Sequence, residues 1–294
     1  MPSPFAARIF RDLSLLPLGI FVALLAGCDP NDAAGSRKRI RSQDVPRVNE
    51  ILRQDIAEHR VAVRKAAEAI RPLYAESDPG TLEQRMRQRL QSLQEPPRGI
   101  LELIASPSTF LTAIASDGIV IARDNEPDKM KGEDFGQRYP IIGQTLHDGE
   151  PRHGLAEFKS DDPAEPPSYS MIFVHPVMDI DEGRVVGAIV VGIPLWRWAQ
   201  RCSRQIRVDR AKEMEAGLIV WVYLVKGDQV FHFGTPPELD QKLPGHAERQ
   251  AGMKRSPGGF TGVLSVVGRA HGYGMIPLPY IGDDIELLIV RADP

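Results

Sequence analysis

Seven side chains of this sequence could together do binding chemistry: Arg138, Tyr139, Arg152, His153, Tyr169, Met171 and His175. An arginine can hold a carboxylate or phosphate through two parallel N–H donors, and a neighbouring tyrosine or histidine then fixes the ligand's orientation by hydrogen bonds. Groups for bond-making chemistry do not line up in the same way. The chain has no His-Glu-x-x-His, no Gly-x-Ser-x-Gly, no phosphate-cradling Gly-x-x-x-x-Gly-Lys and no Gly-x-Gly-x-x-Gly after a strand. His147 and His153 are near one another but lack a third ligand at zinc spacing, and no carboxylate pair stands out as an acid–base couple. The expectation is a binding protein without enzymatic activity, metal or cofactor.

The elements that must position these residues are strands. Phe110–Ile114, Ile119–Ala122, Ser170–Val177 and Val185–Ile193 are apolar or β-branched runs, joined in pairs across Ser116-Asp117-Gly118 and Asp181-Glu182-Gly183. The intervening stretch, 123–168, is polar and rich in Gly and Pro, which suggests a binding-loop region. With a period of two, Tyr169, Met171 and Phe173 share one face of their strand, opposite Ser170 and Ile172. Tyr169 and Met171 could equally pack beneath a helix, and His175, beside Pro176, could be a hydrogen-bonded strand-end residue. His271 and Tyr273 could play analogous roles later in the chain.

A helix must precede the strands. Val48, Ile51, Leu52, Ile56, Val63 and Ile70 recur at intervals of three, four or seven from Asp44, which with Pro46 reads as a helix start. Pro72 ends or kinks that run. A shorter amphipathic stretch carries Leu82, Met86, Leu90 and Leu93 and stops at Pro96-Pro97. Trp196 to Ala216 reads as a connecting helix, with Cys202 packed inside it and Trp196 and Trp198 as anchors. Strands then resume: Leu218–Val225, Gln229–Phe233, Gly262–Val267, Ala270–Ile276 and Ile285–Arg291.

The N-terminus sets an address. Arg8 and Arg11 precede an apolar run from Leu13 to Leu25, too short to span a bilayer comfortably, and Leu25-Ala26-Gly27-Cys28 follows. This resembles the bacterial lipobox, which implies that residues 1–27 are a lipoprotein signal peptide and that Cys28 carries palmitate-type acyl chains. Asp29 resembles the signal that retains lipoproteins in the inner membrane, with the outer membrane as the alternative. The resemblance places the protein at the periplasmic face of a membrane, held there by the lipid. Residues 28–43, with Arg37-Lys38-Arg39 and Arg41, read as a flexible tether, either solvated or resting on anionic headgroups. The whole chain carries a formal charge of −3, and no basic excess points to nucleic acid. With Cys28 acylated, Cys202 has no partner for a disulfide.

The two strand-rich halves look alike. Ala113 to Val120 matches Tyr223 to Val230 as strand, turn, strand, and Tyr169-Ser170-Met171-Ile172 matches Tyr273-Gly274-Met275-Ile276. The order of long helix, strand unit, helix, strand unit resembles the double Cache family of extracellular sensor domains. The resemblance rests on the helix 44–71, the hairpin Phe110–Arg123, and His175-Pro176-Val177 through the turn at Gly183 to the Val/Ile-rich strand containing Gly187. It implies an α+β fold: a long N-terminal helix followed by two PAS-like antiparallel-sheet lobes joined by a helix. The first, membrane-distal lobe is then 44–195, and the connecting helix with the second lobe 196–294. Amino-acid-binding members carry a tyrosine, arginine, tryptophan, tyrosine and aspartate signature in the distal lobe. Here Trp196, Trp198 and Trp221 all follow that lobe, so an amino-acid ligand is not supported.

These readings converge on a lipid-anchored sensor that binds a small molecule and acts through a membrane signalling or envelope protein. The alternative is a structural or assembly lipoprotein using the lobes as protein–protein surfaces.

Overall fold

A computed structural model describes residues 32–75, 78–105, 110–159 and 162–294; the signal segment and Cys28 lie outside them. The chain opens with helix α1 (Asp32–Arg39), a wide π-helical turn (Ile40–Asp44) and α2 (Val45–Ile70). Pro46 would clash with the carbonyl four residues back in a regular helix, and the wide turn, closed by Val45 N–H on the carbonyl of Ile40, gives it room. Asp44 therefore has helical backbone angles and caps nothing. Residues 32–43 are also not a flexible tether. Ala33, Ser36 and Ile40 are buried against the second lobe, because a small face and one isoleucine meet the missing side chains of Gly272 and Gly274.

After a 3-10 turn at Arg71–Ala75 come α3 (Pro79–Ser92), capped by the Asp78 carboxylate on Thr81 N–H, and the short α4 (Leu101–Ala105). The first lobe contains β1 (Phe110–Ala115), β2 (Val120–Arg123), α5 (Phe135–Arg138), α6 (Pro140–Asp148), β3 (Arg152–Phe158), β4 (Ser168–Met178) and β5 (Val185–Pro194). Helix α7 (Leu195–Asp209) and the short α8 (Ala211–Glu215) lead to the second lobe. That lobe comprises β6 (Ile219–Lys226), β7 (Gln229–Phe231), α9 (Pro237–Asp240), α10 (His246–Arg255), β8 (Phe260–Val266), β9 (Arg269–Pro277) and β10 (Ile285–Ala292).

The two sheets have one topology. Their strand orders are β2-β1-β5-β4-β3 and β7-β6-β10-β9-β8, with every pairing antiparallel. One face of both sheets packs on α2 and α7 in a single apolar core that includes Leu52, Ile56, Val63, Met171, Phe173, Ile189, Leu224 and Leu287. The other faces are covered separately, the first by α5 and α6 and the second by α9 and neighbouring residues.

The segment 123–168 is thus not one long loop. Phe135, Tyr139, Ile142 and Leu146 fall at helical spacing and bury against the sheet, a signal diluted in the sequence by Gly and Pro. The Tyr-x-Met-Ile match between the halves is a coincidence, although the duplication of topology is real. Counting from the turn residues Gly118 and Gly227, Ile114 pairs through Ala188 to Pro176, and Tyr223 pairs through Leu288 to Met275. Met275 therefore corresponds to Pro176, five residues from Met171. An odd offset puts the two tetrapeptides on opposite sheet faces, so Met171 joins the helix-side core and Met275 the outer one.

Gly187 has a specific packing reason. A Cβ there would sit 2.4 Å from the Ile114 carbonyl oxygen and from the Tyr74 ring. Tyr74 uses that space to donate its hydroxyl to the Ile114 carbonyl at 2.8 Å, pinning the end of α2 to the first sheet.

Candidate functional site

The seven sequence candidates fall in four places. Arg138 is exposed, donates to Glu133 at 2.7 Å and lies 5.5 Å above the Tyr139 ring. Tyr139 is buried under α5 and α6, edge-on to Phe135 at 5.0 Å and tilted against Phe158 at 5.3 Å, and burial pushes its phenol up to about 12. With Phe110 packed on Phe158 at 5.4 Å, these rings fill the space between the first sheet and its covering helices. Met171 is buried in the helix-side core. Tyr169 stands at the junction of the lobes: its hydroxyl donates to Glu157 at 3.0 Å, its ring meets Phe231 of β7 at 6.0 Å, and Lys226 lies 5.0 Å above it. Gln229 adds a bond across the same junction to the Pro167 carbonyl at 3.0 Å.

Arg152 and His175 do come together. They line a cleft of about 200 Å³ between α2 and the β3–β4 end of the first sheet, with Phe173 in its wall and Arg60 and Arg64 entering from α2. His153 is not part of that lining and stacks instead on Phe173, at 5.7 Å with the rings 12° apart. Burial and then the positive Arg60 hold the His153 imidazole below its ordinary value, so near neutrality it is uncharged. Arg152 is already engaged by Asp148, donating to it at 2.6 Å, and that contact holds the exposed Asp148 carboxyl down at about 2. Arg64 is loosely paired with Glu68 at 3.7 Å. Among the described residues no carboxylate lines the cleft itself, so its lining favours an anion. Arg60 and Arg64 lie one helical turn apart on the polar face of α2, where sequence alone shows only two charges among many.

Two features stiffen the surroundings. Asp55, buried on α2, accepts a two-pronged ion pair from Arg201, with one arm at 2.7 Å, which ties α7 to α2. One turn on, His59 stacks on Phe173 at 5.4 Å and donates its Nδ1–H to the Asp55 carbonyl at 2.7 Å, while burial holds its imidazole below the ordinary value. Cys202 is buried in the same layer and its thiol is pushed up by that burial. At the other end of α2, Arg291 is fully buried among Asp44 at 3.1 Å, Asp293 at 2.8 Å and Glu213, with Arg210 at 3.6 Å from Asp44.

Among the described residues no group of three His, Cys, Asp or Glu side chains could hold a metal ion, and no helix is long and apolar enough to cross a membrane.

Two lobes of identical strand order on one long helix make a double Cache-like fold. The chain is similar to the extracellular domain of a protein described as a histidine kinase, vpHK1S-Z8, at 12% identity and TM-score 0.57, over 90% of this chain and 93% of that one. It is similar also to the ligand-binding domain of the Campylobacter jejuni chemoreceptor Tlp3, solved with 4-methylisoleucine, at 10% identity and TM-score 0.53, over 88% and 90%. An extracellular ligand binding receptor from Desulfohalobium retbaense matches 84% of this chain, which spans only 39% of that receptor, at 14% identity and TM-score 0.45; that likeness carries no argument. At such identities the likeness is one of fold. No protein-family model matches the chain, and no curated protein sequence does.

Proposed function

We propose that this chain is an extracytoplasmic sensor module, held at the periplasmic face of a membrane by acyl chains on Cys28, that binds a small anionic molecule in its first lobe and acts through a membrane partner. The observation that carries this reading is the pair of like lobes on one continuous helix, the architecture of the sensor domains it resembles. The cleft between α2 and the first sheet supports the ligand class, because Arg60 and Arg64 line it beside His175, with Arg152 at its edge already held by Asp148. The space beneath α5 and α6 is filled by Phe110, Phe135, Tyr139 and Phe158, which argues against a ligand there and agrees with the missing amino-acid signature.

A thermal-shift screen of the purified chain with small carboxylates, amines and purines tests it. A ligand at about a hundred times its Kd stabilises by about 2.7 kcal/mol, a rise of roughly 5–10 °C for a chain of this size. Carboxylates should give the shift, and Arg60→Ala with Arg64→Ala should abolish it. If nothing shifts the chain at millimolar concentration, the binding role fails. The anchor is tested separately: Cys28→Ala should move the protein from the membrane to the soluble fraction of cells, and a variant that stays with the membrane would rule the lipid out.

A further inference from the structure

The second lobe carries a groove whose origin lies in a strand that stops early. Strand β7 pairs only with Leu224, Val225 and Lys226, so the outer edge of β6 from Ile219 to Tyr223 has no strand beside it. Helix α7 covers that edge instead. The Ser203 hydroxyl accepts from Val222 N–H at 3.0 Å and donates to the Val222 carbonyl at 3.2 Å, replacing the missing ladder. Because a helix cannot lie as close as a strand, a hollow of about 660 Å³ remains beside Trp221, and a second of about 390 Å³ continues it along α7 past Arg204 and Phe233.

The chemistry of this groove is one-sided. Among the described residues no carboxylate lines either hollow. The Arg207 guanidinium carbon lies over the Trp221 ring, 3.7 Å from its centroid, and the Arg207 Nε is buried with no hydrogen-bond partner among the described residues. Arg204, one turn before on the same face, has no ion pair with any described residue. Opposite them Phe233 is 56% exposed yet held in place, stacked on Trp196 at 5.5 Å, and Val208 is 63% exposed at the rim. A buried Arg207 Nε–H left without an acceptor, next to apolar surface left in water, is costly in both respects. A single ligand with an anionic head and an apolar body would relieve both. The size falls in the ordinary range of small-molecule sites, about 300–1,000 Å³.

We propose that this groove is a second binding site, for a soluble amphiphilic anion: a carboxylate, sulfonate or phosphate head held by Arg204 and Arg207, with an aromatic or apolar body against Trp221 and Phe233. It lies on the second lobe and does not depend on the first-lobe cleft.

The test uses the purified full chain and 8-anilinonaphthalene-1-sulfonate, which joins one sulfonate to an aromatic body, with uncharged N-phenyl-1-naphthylamine as control. The sulfonate probe should saturate one site and accept excitation energy from tryptophan. Arg204→Gln with Arg207→Gln should weaken it at least tenfold without changing the Tm by more than a few degrees. The exposed single variants Arg204→Gln and Phe233→Ser, which have little reason to disturb folding, should each weaken it several-fold. The uncharged probe should bind at least tenfold more weakly to the wild type and be indifferent to the arginine changes. Affinity for the sulfonate unchanged within twofold in these variants would overturn the proposal. So would equal binding of the uncharged probe, or binding only to vesicles of anionic phospholipid with none to the free probe.

Discussion

Arg291→Met removes a fully buried guanidinium from among three carboxylates while keeping an unbranched side chain of similar length. Asp44, itself fully buried, loses its two contacts at 3.1 and 3.3 Å and keeps only Arg210 at 3.6 Å. Breaking a buried pair from one side costs about 3–5 kcal/mol, because the remaining charge is stranded. At roughly 2–4 °C per kcal/mol, the Tm should fall by about 6–20 °C. The loss should depend on pH in a definite sense. Burial holds the Asp44 carboxyl above its ordinary range even with Arg291 opposing it, so removing Arg291 raises it further. A carboxyl raised in the folded state gives a native protein that binds more protons than the unfolded chain, so stability rises as pH falls through the folded value. The deficit of Arg291→Met relative to the wild type should therefore shrink between about pH 8 and about pH 5. Asp44→Asn in the same background should recover part of it, giving a coupling of roughly 1–3 kcal/mol in a double-mutant cycle. Urea denaturation of the four proteins at both pH values measures all of this. A cost below about 1 kcal/mol, a deficit unchanged by pH, or additive effects would refute the reasoning.

Other consequences are open to measurement. Gly187→Ala should destabilise by about 1–3 kcal/mol in chemical denaturation, since the added carbon meets both the Ile114 carbonyl and the Tyr74 ring; a change within about 0.5 kcal/mol would mean the sheet yields freely. His59, His153 and His271 are all held below their ordinary value by burial, so the unfolded chain takes up protons first. Stability should then drop as pH falls below about 6.5, and His59→Phe should flatten the decline in a pH series of melting curves. Cys202 should resist iodoacetamide in the native protein and react fully only in denaturant, and fast native labelling would show that α7 opens.

Legibility in the sequence followed the length of each signal. The α2 stripe of Val48, Ile51, Leu52, Ile56, Val63 and Ile70 is buried throughout, since seven turns of regular period leave little ambiguity. The flanking strands with Gly turns were equally plain. The third strand of each lobe and the covering helices were harder. Arg152–Phe158 is half exposed along most of its length, and α5 and α6 are short and broken by Gly and Pro. At the N-terminus, Asp44 and Pro46 imitate a helix start, and only tertiary contact with Arg291 and the second sheet lets the helix run through them. Of the site candidates, Arg152 and His175 share the cleft because β3 and β4 pair there, a fact of register that spacing along the chain does not encode. Arg60 and Arg64 come from an element more than 80 residues earlier, and Tyr169 was claimed by the lobe junction instead.

The tie between α1 and the end of β10 has a mechanical consequence. Ser36 and Arg39 both bind Asp293, at 2.9 and 2.8 Å, which fixes α1 on the second lobe, and α1 begins at Asp32, four residues after Cys28. Four residues reach at most about 14 Å. With acyl chains on Cys28, the second lobe would then stand on the lipid surface like a post in a short socket, unable to tumble as a float on a line. Helix α2 rises about 39 Å over its 26 residues at 1.5 Å each, so the first lobe would be held aloft at a set height and a set bearing. A partner in the same membrane would meet it by sliding in two dimensions, with little rotational search left to do.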